Sequence, residues 1–173
     1  MKYLPALLPI ALIGCSAATA TDTDIPTEEI QNMFRKINDT ISVSPQIDLE
    51  DVAAAKAEGV TLIINNRPDG EDPSAPQSAD IEAAAREAGM KYIAIPITHS
   101  GFSGPQVDAM VAALSDGDKI LAYCRSGTRS TLLWSLAQAR QGVDPDEIAR
   151  LAGNAGYDIT PVRAMVDALA AGN

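Results

Sequence analysis

The chain has 173 residues, 23 Asp plus Glu against 13 Lys plus Arg, a formal charge of −10 and one histidine, His99. A surface this acidic repels nucleic acid and anionic headgroups, which argues against both as partners. A small anion could be held only where the field is locally reversed. With one histidine and two cysteines, Cys15 and Cys124, no metal-binding Cys/His cluster is visible, and no metal or organic cofactor is expected.

Lys2 precedes an apolar stretch ending in Leu12-Ile13-Gly14-Cys15, too short to span a bilayer as a helix and suited to an export signal. Small residues ahead of the cysteine resemble a bacterial lipobox. Residues 1–14 are therefore expected to be removed and Cys15 to be acylated, leaving a periplasmic protein held to a bacterial membrane by lipid alone. Cleavage after Ala18-Thr19-Ala20, giving a soluble periplasmic protein, and an uncleaved anchor are the alternatives. Residues 15–26 read as a polar tether. Residues 27–173 are long enough for one catalytic domain with a substantial core.

Thr27 can cap a short helix that places Ile30, Met33, Phe34 and Ile37 on one face. Ile41-Ser42-Val43 alternates as a brief edge strand does. Asp48 caps an Ala-rich helix that runs to about Glu58 and stops at Gly59, and Val60 to Ile64 reads as a buried strand. A Pro-, Asp- and Gly-rich loop from Asn65 to Gln77 leads to a helix over 78–88 and a strand over 91–96. Ser103-Gly104-Pro105-Gln106 has capping-box spacing ahead of a helix over 107–114. A strand at 120–123, a Cys-containing loop and a helix over 130–140 complete the cycle. Asp144-Pro145 and Thr160-Pro161 start two last helices, both read as packing. Strands alternating with helices predict an α/β fold, a three-layer arrangement with a mainly parallel central sheet flanked by helices. Ligands in such folds bind beyond the carboxyl ends of the strands, where the loops 65–77, 98–103 and 124–129 should meet.

Cys124 sits between an apolar strand and the start of a helix. After export it is the one thiol left, so no internal disulfide can form. Converging loop N–H groups and the helix dipole favour thiolate over thiol there. A buried structural cysteine is the bland alternative. Ser126, Gly127 and Thr128 are small enough for successive amides to converge on an oxyanion, and Arg129 can offer it a planar fork. The Ser130 and Thr131 hydroxyls can stabilise the sulfur. Together these residues suit attack by Cys124 on phosphorus or on sulfur.

The run Tyr123-Cys124-Arg125-Ser126-Gly127-Thr128-Arg129-Ser130, taken with Ile64-Asn65-Asn66-Arg67-Pro68-Asp69-Gly70-Glu71 and Ile93-Ala94-Ile95-Pro96, resembles the phosphatase-like domain of the beta-lactamase-hydrolase-like family over roughly residues 28–140. The resemblance implies a fold similar to dual-specificity protein tyrosine phosphatases, with Cys124 as nucleophile and Arg129 with the loop amides as anion binder. Members are also described as sulfurtransferases, and some carry a separate metal-dependent hydrolase domain for which this chain is too short. Two departures bear on chemistry. Four residues separate Cys124 from Arg129, one fewer than protein tyrosine phosphatases usually have, and this shorter loop is similar to that of single-domain rhodaneses. Where those phosphatases place an acidic Asp, this chain has Thr98-His99.

His99 could protonate a leaving group or be an exposed residue without a role; Asp69 and Glu71 are rival acids or solvated turn residues. Arg67 either supplements the anion site or pairs with Asp69, Glu71 or Asp72. Arg125 either points outward or touches substrate, and Trp134 reads as core. The expected activity is a cysteine-dependent phosphatase-like hydrolase with a cysteinyl-phosphate intermediate, acting on a small phosphorylated substrate or a phosphoprotein. The alternatives are a rhodanese-like sulfurtransferase that takes sulfur from a small donor as a Cys124 persulfide, and a non-catalytic lipoprotein that binds an anion or a partner.

Overall fold

In the computed structural model, which describes residues 33–172, alternation of apolar side chains along short strands builds a sheet with a core on each face. The export segment, Cys15, the tether and most of the helix expected from Thr27 lie outside the described residues. The strands are β1 Arg35–Lys36, β2 Ile41–Ser44, β3 Leu62–Asn65, β4 Lys91–Ala94 and β5 Ile120–Tyr123. Their order is β1-β2-β5-β3-β4, with β1 antiparallel and the rest parallel.

The helices are α1 Leu49–Ala57, α2 Ser78–Glu87, α3 Gly104–Asp116, α4 Thr128–Arg140, α5 Pro145–Asn154 and, after a 3-10 turn at Thr160–Val162, α6 Arg163–Ala171. Successive strand residues point to opposite faces, so Ile63, Leu121 and Tyr123 join the core under α1 and α2, while Leu62, Ile64, Ile120 and Ala122 join the core under α3 to α6. Trp134 on α4 belongs to the latter core and is wholly buried, as expected. The result is a sheet between two helical layers. Among the described residues no helix is long and apolar enough to cross a membrane.

Local chemistry sets the helix starts. Asp48 Oδ1 accepts from Glu50 N and Asp51 N at 2.9 and 3.0 Å, and Asp51 answers by accepting from Asp48 N at 2.7 Å. Asp144 Oδ1 accepts from Asp146 N and Glu147 N at 2.9 and 3.1 Å. Each such cap stabilises its helix by about 1 kcal/mol. At α3, Gln106 Oε1 accepts from the Ser103 amide and hydroxyl, both at 2.9 Å, and Gln106 Nε2 donates to Pro96 O at 2.8 Å. That cap therefore also restrains the segment after β4.

Two expectations fail at the N-terminal side. The helix expected through Ile37 does not continue, because Asn38 Oδ1 accepts from Thr40 N and Ile41 N, both at 2.9 Å, and folds Arg35–Lys36 back on β2 as a hairpin. Phe34 and Ile37 then enter different cores instead of sharing a helical face. In consequence β2 is no edge strand, since β1 covers its outer side.

Ile64 is wholly buried on the inner strand β3, so Ile64→Ala should lower unfolding free energy by about 2–5 kcal/mol in urea titrations. Leu49→Ala, at a side chain more than half exposed, should change it by less than about 0.5 kcal/mol.

Candidate active site

Because β5, β3 and β4 are parallel neighbours, their following loops emerge side by side. Two asparagines lock the middle one. Asn65 Oδ1 accepts from Arg67 N at 2.8 Å, Asn66 N donates to Tyr123 O at 2.8 Å, and Asn66 Nδ2 donates to Ile95 O at 3.0 Å. All three loops then converge on one guanidinium: Arg129 Nη1 donates to Ile97 O at 2.7 Å and Nη2 to Glu71 Oε2 at 2.8 Å.

Gly127 turns the chain from β5 into α4 with φ of +83°, a left-handed conformation that side chains disfavour. A Cβ there would lie 2.0 Å from the Tyr157 hydroxyl oxygen, so the position is closed to side chains on two counts. The first bond of α4 runs from Thr131 N to Gly127 O at 3.0 Å, and no side chain among the described residues caps the helix. The amides of Thr128, Arg129 and Ser130 are thus the orphan donors of a helix start. Thr131 does not serve the sulfur as expected, because its hydroxyl donates to Gly127 O at 3.0 Å. Ser126 Oγ donates to Thr128 Oγ1 at 3.1 Å on the exposed side of the loop. Ser130 and, from β2, Ser44 have buried hydroxyls with no hydrogen-bond partner among the described residues. Leaving such a group unpaired costs about 1–3 kcal/mol, a form of strain found at sites built for something else.

Cys124 is a free thiol, wholly buried. What faces it is polar: the Arg129 guanidinium interacts with both the Cys124 sulfur and Glu71. Burial works against the Arg129 charge, and these two partners more than offset it, so its pKa is raised. Glu71 is the pivot. Its Oε2 also accepts from Arg67 Nε at 2.7 Å, and the two arginines, Arg129 foremost, hold its carboxyl below the usual range against the opposing effect of burial. An ionised Glu71 accepts hydrogen bonds at neutral pH and is a poor proton donor, so it is an organiser and not the rival acid of the sequence reading.

Arg67, buried, is committed to Glu71, to Gln46 Oε1 at 2.7 Å and to Asp72 at 3.6 Å, which places it with the pairing alternative. Asp69 Oδ1 accepts from Ser78 N at 2.8 Å and so supports the start of α2. His99 is exposed and borders, with Thr98 and the Pro68–Glu71 turn, a hollow of about 310 Å³. Arg125 is exposed, its carbonyl accepting from Gln46 N at 3.4 Å. Among the described residues no group of three or more His, Cys, Asp and Glu could hold a metal ion.

Sequence reasoning missed Tyr157 and Arg35. The Tyr157 hydroxyl donates to Ser126 O at 3.3 Å, and the Arg35 guanidinium carbon lies 5.2 Å from the Tyr157 ring centroid. Burial raises the Tyr157 pKa, with Arg35 opposing, so the phenol stays a donor at neutral pH. An isolated tyrosine between two helices carries no local pattern that announces such a contact.

The chain matches the family model for the phosphatase-like domain of beta-lactamase hydrolase-like protein over residues 33–141. A beta-lactamase hydrolase-like protein of Xylella fastidiosa is 31% identical over 71% of this chain, which spans 29% of that relative's length. A crystal structure of a candidate phosphatase from Neisseria meningitidis is 31% identical with a TM-score of 0.69, covering 80% of this chain and 98% of that one. Tk-PTP in its active form, 16% identical with a TM-score of 0.61 over 80% of this chain and 96% of its own, shares the fold. The chain belongs to the beta-lactamase hydrolase-like family through its phosphatase-like domain, and its fold is protein-tyrosine-phosphatase-like.

Glu71→Gln removes the charge on which Arg67 and Arg129 converge and should destabilise the protein by about 1–3 kcal/mol at pH 7. A lowered carboxyl pKa gives stability that is present above the unfolded value of about 4.3 and is lost as pH falls through the folded value. The gap between wild type and variant should therefore close on acidification, as read by thermal melts across pH.

Proposed function

We propose that this member of the family is a phosphatase-like hydrolase in which Cys124 is the nucleophile. One observation carries the reading: the sulfur, an uncapped helix start with three orphan amides, and a guanidinium oriented by Glu71 and Ile97 O meet at the carboxyl end of the central strand. Amides and guanidinium bind the phosphoryl oxygens, and preorganised donors of this type stabilise charge as it develops. The Cys124 sulfur attacks phosphorus, the bond to the leaving oxygen breaks, and that oxygen takes a proton. Water then attacks the cysteinyl-phosphate, releasing inorganic phosphate and returning the thiolate. His99 is the candidate donor of the first proton, at the hollow it shares with Asp69 and Glu71. Gly127, pinned beneath Tyr157, fixes the loop curvature, and Ser130 Oγ, buried without a partner among the described residues, is available to the sulfur.

The substrate class is a phosphorylated small molecule or phosphoprotein. The acidic surface argues against nucleic acid, and the Leu12–Cys15 segment supports export to the periplasm with a lipid anchor at Cys15. A second reading, sulfur transfer through a Cys124 persulfide, is favoured by one feature, the four-residue spacing between Cys124 and Arg129.

Purified protein should release phosphate from an aryl phosphate and no thiocyanate from thiosulfate plus cyanide. Cys124→Ser should reduce phosphate release to background, and Arg129→Lys should lower kcat/KM about a hundredfold. Thiocyanate without phosphate would replace this reading with the sulfurtransferase one.

A further inference from the structure

Six of the eight arginines among the described residues have a carboxylate within ion-pair distance. The two that have none there are Arg125, in the Cys loop, and Arg35, linked to that loop through Tyr157. Arg125 is the second residue of the loop. Arg35 pairs with Val43, which pairs with Ala122, so it stands near the carboxyl end of the sheet. Its side chain lies over Tyr157, whose hydroxyl bonds Ser126 O and fills the space where a Cβ on Gly127 would be. The Arg35 Nη1 is 3.4 Å from the position of a Cβ on Gly156.

The charge balance of the site gives this placement meaning. Arg67 and Arg129 are matched by Glu71 and Asp72, so that half of the site is close to neutral. Positive potential for an anion must then come from the helix start, Arg35 and Arg125, on a chain whose formal charge is −10. Stacking on Tyr157 is worth about 0.5–1 kcal/mol at an exposed site. The Arg35 guanidinium also interacts with the Tyr157 phenol, and with five N–H donors it has others to offer an oxyanion.

Resting on the reading of Cys124 to Arg129 as a phosphoryl site, we propose that Arg35 and Arg125 form a second anion subsite at its rim. The substrate is then a small soluble compound with two phosphoryl groups, one presented to Cys124 and the other held by these two guanidiniums. A soluble compound fits better than a lipid headgroup because the acidic surface repels anionic bilayers.

The test is calorimetric titration of full-length Cys124→Ser protein with two pairs of probes: inorganic phosphate against pyrophosphate, and fructose 6-phosphate against fructose 1,6-bisphosphate. At least one bis-anion should bind about tenfold or more tightly than its mono-anion, the size expected for one added charged hydrogen bond. Adding Arg35→Ala or Arg125→Ala should erase most of that advantage. Arg86→Ala, which removes an equal charge from an exposed pair with Glu82, should preserve it. If a melt shows that Arg35→Ala does not fold, Arg35→Lys should retain only part of the advantage, because it keeps the charge and loses the fork. Equal binding within both pairs, or an advantage that survives loss of Arg35, overturns the second subsite while phosphate binding upholds the first. Failure of phosphate to bind at all overturns the parent reading and this one with it.

Discussion

The Arg129 guanidinium is held by the Ile97 carbonyl and by the Glu71 carboxylate, and it also meets the Cys124 sulfur. Each partner comes from a loop that follows a different strand, so the geometry depends on β4, β3 and β5 lying parallel and adjacent. A long, flexible side chain is thereby given one orientation before any ligand arrives. Preorganisation of this kind is what lets a charged donor favour a transition state more than it favours water.

Glu71 also accepts from Arg67, so one carboxylate ties two cations that would otherwise repel each other. Removing it would leave Arg67, buried, without its shortest charged partner. On the opposite side of the Cys loop the restraint is steric: Tyr157 occupies the space that a side chain at Gly127 would need. The loop is thus held electrostatically from the 65–77 side and by packing from the segment between α5 and α6.

Most of the layered fold can be read from local signals. Asp48 and Asp144 cap helices because their side chains bond amides two and three residues on, a pattern contained within one turn. The strands stand out as short apolar runs, and Cys124 stands out because the Gly127 turn and two arginines follow it. What escaped are contacts between residues far apart in the chain. Nothing around Arg35 shows that Asn38 will turn the backbone into a hairpin in place of a helix. Glu71 looks like one acid among several in a polar loop until the fold sets it 2.8 Å from Arg129. Tyr157 and Ser126 are thirty-one residues apart, and only the packing of α5 and α6 on α4 brings them together. Thr131 looked like a donor for the sulfur, and the backbone carbonyl four residues earlier took its hydrogen bond instead.

The most direct measurement of the central claim is chemical trapping. Wild-type protein would be mixed with an aryl phosphate, quenched in acid within the first turnover, digested and mapped by mass spectrometry. The account predicts a phosphoryl group on the peptide containing Cys124, absent from Cys124→Ser and fading as turnover completes. Phosphate release with an unmodified Cys124 peptide, or release that continues in Cys124→Ser, would contradict it.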